Sequence, residues 1–185
     1  MPRLREAFPR LRLWLREDAA DMLADRLAAG RLDLLVIALP GDCGGAETLP
    51  IAEDPFLVAL PAGHRLAGAE AIAPEALAGE RLLLLEQGHC LRDHALLAAG
   101  LPSAGAVEGF AASSLHTLLQ MVGNGLGVTL LPRLAMAGGA AAPVVLRPLD
   151  GGFARRISLA WRAGDPRAEA FRALAPTIAA ALDGL

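Results

Sequence analysis

Residues 10–39, RLRLWLREDAADMLADRLAAGRLDLLVIAL, change periodicity twice, and that change decides the fold class. From Arg10 to Glu17 apolar and charged residues alternate, with Leu11, Leu13 and Leu15 on one side and Arg10, Arg12, Trp14 and Arg16 on the other; a period of two predicts a strand. Asp18 then stands where a helix cap belongs, and Gly30 where a helix running to Ala29 would stop. Leu32–Leu39, apolar except for Asp33, reads as a buried-strand run. Arg3–Phe8 reads as the end of a helix stopped near Pro9, so the chain opens helix, strand, helix, strand. That rhythm predicts an α/β layer with parallel strands.

The same alternation continues outward. Glu47–Pro61 reads as a strand pair broken at Pro55, Pro74–Leu77 as a short helix, Arg81–Leu85 as a buried strand, and Cys90–Ala99 as a helix ended by Gly100. Ala104–Phe110 is an expected strand. Ser113 and Ser114 can cap a helix over Leu115–Val122, GNGLG stops it, and Val128–Leu131 is again a strand. A Gly/Ala/Pro-rich stretch, Ala137–Pro143, precedes strands at Val144–Leu149 and Arg155–Arg162, and Pro166 opens a last helix to about Leu182. Leu119, Val122, Leu126, Val128 and Leu130 are expected in the core. The order implies two Rossmann-like lobes: residues 1–59 with 144–185, and residues 60–143 between them. Two crossings predict a hinged cleft, where ligands bind.

Composition narrows the function. The chain has 185 residues, 54% of them hydrophobic, which suffices for sizeable cores and argues against disorder. Net charge is −3; all 17 basic residues are arginine, without a basic run, so the chain by itself is a poor nucleic-acid ligand. No apolar run reaches membrane-spanning length and the N-terminus lacks a signal-peptide core, so a cytoplasmic location without membrane attachment is expected. Two cysteines, Cys43 and Cys90, do not make a disulfide scaffold.

Three phrases carry a family resemblance: RLDLLVIALP (31–40), DPFLVALPAGHRLA (54–67) and FAASSLHTLLQMVGNGLGVTLLPRLA (110–135). Together they resemble the effector-binding domain of LysR-type transcription regulators, over essentially the whole chain. LLLEQGHCLRDHAL (83–96) resembles the peroxide-sensing OxyR branch of that family. The resemblance implies a type 2 periplasmic-binding-protein-like fold and a homodimer or homotetramer, paired side by side through the first lobe. DNA would be reached only through an N-terminal helix-turn-helix. It also implies that this chain starts inside the helix after the family's first strand, leaving the first lobe without that strand.

By the same resemblance Cys90 is the peroxide-reactive residue, with His89, Arg92, Asp93 and the return-strand Arg155 in support. The position of the branch's second cysteine is Ala99, so its intramolecular disulfide is not expected, and a threonine usual after the second strand is Ala20. The residues themselves leave two readings of Cys90. It is a small buried hydrophobe, or it is a thiol at a strand-to-helix junction, where the helix dipole and Arg92 favour the thiolate that attacks peroxide. Ser113 and Ser114 are a simple cap, or a helix start that takes an anion; Thr129 is a weaker ligand candidate, and Arg155 is either a cleft residue or a surface arginine.

Cys90 and His94, four apart, have a spacing that a metal can use, but capping and solvation explain these side chains, and no metal or cofactor is expected. Two alternatives stand beside peroxide sensing: the same domain sensing a small organic anion, and a thiol peroxidase. Turnover needs a route back from sulfenic acid, and no thiol is adjacent, so no enzyme is expected.

Overall fold

The computed structural model describes residues 2–39, 44–86, 90–100, 111–137, 143–151 and 153–183. The chain forms two compact units, one of residues 1–53 and 156–185, the other of residues 54–155. Residues 54–59 and 144–155, assigned to the first lobe on sequence, therefore cluster with the second. The reason is pairing: the strand through 56–61 hydrogen-bonds to strands at 129–132 and 144–148.

The first unit contains α1 (Pro2–Ala7), α2 (Ala20–Ala28), β1 (Leu35–Leu39), the start of β2 (Glu47–Pro61), β7 (Ala154–Trp161) from Arg156 on, and α5 (Ala168–Asp183). Its strands lie in the order β1–β7–β2. The β1–β7 pair is antiparallel, Leu35 facing Ala160 and Leu39 facing Arg156, where parallel neighbours were expected. The expected parallel partner, Arg10–Glu17, is no strand: its backbone enters no ladder among the described residues, and its side chains are exposed. Alternation makes a segment competent for a sheet, but only a hydrogen-bonded neighbour makes it a strand.

β7 is buried on both faces. Leu159 and Trp161 pack with Phe171 and Ala175 of α5, while Ala160, between them, packs with Leu27 and Leu35. Successive side chains on opposite faces serve two cores at once. α2 ends in a Schellman arrangement: Gly30 adopts φ 70° while the Arg31 amide donates to Arg26 and the Gly30 amide to Leu27. Its N-cap is Ala19 rather than Asp18, whose carboxylate instead meets Arg16 and Arg26.

An arginine–carboxylate cluster secures the return into α5. Asp165 accepts from Arg162 and Arg167, and Arg162 also donates to the Leu27 and Leu32 carbonyls. The Arg167 side chain and amide hold the Asp165 carboxyl well below its ordinary range, against the opposing effect of burial.

The second unit contains the rest of β2, β3 (Leu84–Leu85), α3 (Cys90–Ala98), β4 (Ala111–Ala112), α4 (Leu115–Gly123), β5 (Thr129–Pro132) and β6 (Val144–Pro148), with 3-10 turns at Pro74–Leu77 and Arg133–Met136. β2 runs unbroken through Pro55, because its antiparallel pairing to β5 and β6 begins only beyond the proline, at Phe56 and Leu57. β3 pairs parallel to β4, and Leu82 bridges parallel to Val128.

Alternation again distributes side chains between two cores. Val58, Leu60, Leu82, Leu84, Val128 and Leu130 pack under α3; Ala59, Leu83, Leu85 and Leu131 pack under α4. The unit is thus a sheet between helices. Leu119, Val122, Val128 and Leu130 are buried as expected, but Leu126, in the turn after α4, is 40% exposed. Gly127 permits a close approach: a Cβ there would lie 2.3 Å from the Arg81 carbonyl oxygen. The strand read at Ala104–Phe110, like Cys43 and His89, lies outside the described residues.

Candidate functional site

Strand β3 ends in the buried Leu85, and α3 begins at Cys90, in the same unit. Cys90 is exposed and is a free cysteine. The chain folds this way because 82–85 is apolar on both faces, whereas 90–98 buries one helical face through His94, Ala95, Leu96 and Ala98. Cys90 thereby falls on the first turn, at the solvent side.

Arg92 is half-buried, and its Nη1 donates to the Leu85 carbonyl at 2.9 Å. Asp93 is exposed on the same turn. Ala99 is buried in the core that α3 covers, so its side chain is a packing methyl. No group of three or more His, Cys, Asp or Glu among the described residues is placed to hold a metal ion.

The remaining sequence candidates lie elsewhere in this unit. Ser114 is the N-cap of α4: its Oγ accepts the Thr117 amide at 3.2 Å and pairs with Thr117 Oγ1 at 3.0 Å. Ser113 beside it is exposed. Thr129 is fully buried, and its hydroxyl donates to the Leu83 carbonyl at 2.8 Å. Arg155 is paired with Asp54, both Nε and Nη2 standing 2.9 Å from Oδ2, while Asp54 Oδ1 accepts the Leu134 amide at 2.9 Å.

Asp54 has no exposed surface and was missed on sequence. The available signal was an acid between Glu53 and Pro55, just before the apolar run 56–60 of β2. A carboxylate buried in that way needs a cation and further donors, and both are present.

The chain matches the LysR substrate binding domain over residues 1–183. It belongs to that family. It is 41% identical over 186 residues to a probable hydrogen peroxide-inducible genes activator of Streptomyces viridosporus, covering 97% of this chain and 59% of that protein. The crystal structure of the reduced form of OxyR superposes with a TM-score of 0.87 at 37% identity, covering 99% of this chain and 87% of that one. A peroxide-bound cysteine-to-serine mutant of Corynebacterium glutamicum OxyR gives a TM-score of 0.89 at 30% identity, over 98% of this chain and 58% of that one.

The LysR domain therefore has the α/β fold of type 2 periplasmic binding proteins. The chain spans less than two thirds of the length of the curated activator it matches. No helix among its described residues is long and apolar enough to cross a membrane.

Proposed function

We propose that this LysR domain is the sensor part of an OxyR-like transcription regulator that responds to hydrogen peroxide through Cys90. The observation that carries the reading is the exposed free thiol on the first turn of α3, in a chain 41% identical to a peroxide-inducible activator. The sulfur attacks one oxygen of HO–OH; an S–O bond forms, the O–O bond breaks, and the departing hydroxide takes a proton to become water. Cys90 ends as sulfenic acid. Ala99 offers no thiol to condense with, so the modified side chain persists or is capped by an external thiol, with loss of water.

Signalling then consists of a shift between two packings around α3, which requires no turnover. In the longer protein the shift acts on DNA through a separate N-terminal domain, in a dimer or tetramer of subunits. Arg92 and Asp93 on the same turn, and His89, support Cys90. Arg155, named with this set on sequence, is held by Asp54.

The test is intact-mass measurement after one equivalent of peroxide with a sulfenic-acid trap, beside Cys90→Ser. A single adduct mapping to Cys90 and absent from Cys90→Ser is expected. An unreactive Cys90, or a Cys43–Cys90 crosslink, would overturn it. Ala99 favours a second reading, in which a small anion is the signal and Ser113 or Ser114 contributes to its binding. A conformational response to metabolites retained in Cys90→Ser would select that reading.

A further inference from the structure

We propose that Arg92 is a positioning residue for Cys90, acting as a staple between the first turn of α3 and the end of β3, and not as a charge on the sulfur. The proposal rests on the peroxide reading above. It starts from the carbonyls along one edge of the 81–85 strand. Alternate residues of a strand turn their backbone groups to the same edge. The Arg81 carbonyl accepts the Val128 amide at 2.9 Å, and the Leu83 amide donates to the Val128 carbonyl at 2.8 Å. The Leu83 carbonyl accepts from the Thr129 hydroxyl at 2.8 Å. Along this edge the partner changes from backbone to side chain, and at Leu85 the donor is Arg92, from the helix, at 2.9 Å.

Leu85 is 5% exposed, so its carbonyl needs a protein donor, and a guanidinium supplies one from a rigid plane. Arg92 lies two residues beyond Cys90, in the same helical turn. One hydrogen bond therefore fixes where that turn starts relative to the sheet, and with it the place from which Cys90 acts. It also engages one of the guanidinium's N–H groups with a neutral carbonyl.

The two roles separate in a pH profile. In a Cys43→Ser background, the Cys90 rates with peroxide and with iodoacetamide are measured from below to above the titration of the thiol, for the parent and for Arg92→Ala and Arg92→Lys. A charge role moves the titration and leaves the high-pH plateaus alone. A staple lowers the peroxide plateau, which depends on an ordered site, by about tenfold in Arg92→Ala, with the iodoacetamide plateau held within about twofold. Arg92→Lys, which still carries a donor, recovers part of the loss.

Hydrogen exchange over residues 90–99 supplies a second measurement that needs no peroxide chemistry; it should quicken in Arg92→Ala and less in Arg92→Lys. Unchanged plateaus with unchanged exchange, or a shifted titration with unchanged plateaus, would overturn the staple. A parent Cys90 no faster with peroxide than free cysteine would instead overturn the sensor reading, and the exchange measurement would still decide on the staple.

Discussion

Residues 10–17 and 81–85 both read as strands, and only the second becomes part of a sheet. Trp14 and Leu15 are 82% and 72% exposed, whereas Leu83 and Leu85 are 1% and 5% exposed. The difference is not in propensity, since Leu and Trp suit a pleated surface in either place. It lies in what each segment meets. The 81–85 strand has Val128 on one edge, β4 on the other, and a helix over each face. The alternating segment near the N-terminus has none of these among the described residues. Local pattern proposes a strand, and tertiary neighbours complete it.

The largest effect should come from hollowing out the completed strand. Leu83→Ala removes a fully enclosed side chain under α4 and should cost about 2–5 kcal/mol, read as a lower midpoint in urea unfolding followed by far-UV circular dichroism. A loss no larger than that of an exposed leucine would show that burial does not separate the two segments.

Next is the contact that gives 81–85 its neighbour. Gly127→Ala places a methyl against the Arg81 carbonyl and the Leu83 side chain, and nothing flexible stands at the carbonyl to give way. It should cost about 1–3 kcal/mol by forcing the strands apart, again visible in the unfolding midpoint. A neutral result would mean that the edge tolerates separation.

A pH-dependent effect tests how the first unit holds while 10–17 is unpaired. Asp165 is kept ionised by Arg167, so its contribution is full above about pH 4 and is lost as pH falls through its lowered value. Asp165→Asn should therefore unfold more easily at neutral pH, with the gap to the parent closing under strong acid. Emission from Trp161, which packs on Phe171, reports this in a Trp14→Phe background. A gap that stays constant down the acid limb would remove the carboxylate from the account.

The smallest effects belong to the unpaired segment. Leu15→Ser and Trp14→Phe should each change stability by no more than about 0.5 kcal/mol. Iodide should quench Trp14 freely and Trp161 poorly. A large loss in either variant would show that residues 10–17 are packed in solution.

Much of this architecture was legible because apolar side chains repeat at the sheet and helix periods. The helices at Cys90–Ala98 and Leu115–Gly123, with their glycine stops and the Ser113–Ser114 cap, and the doubly buried run Leu82–Leu85 follow from such local signals. Direction and partners were not legible. The antiparallel β1–β7 pair depends on how a chain more than a hundred residues later returns, and no window of sequence contains that information. The place of Cys90 on the first turn of α3 could be read from the strand-to-helix switch. Asp54 could not, because its cation is 101 residues away. Thr129, a weaker ligand candidate on sequence, donates its hydroxyl to the Leu83 carbonyl and so ties one strand to another. A polar side chain in an apolar run reads the same whether its partner is a ligand or a carbonyl.

Asp54 and Arg155 are the first and last residues of their unit, and their side chains meet at 2.9 Å. That unit is thus a detour in the chain which is entered and left at one place. The entropy of closing so long a loop grows only logarithmically with its length, and the buried pair makes the closure part of the native state. In genetic terms residues 54–155 are a cassette. A segment whose ends already touch can be excised, exchanged or lengthened with both junctions kept. A change at Asp54 alone would damage entry and exit together, leaving a guanidinium at the junction with no carboxylate to face.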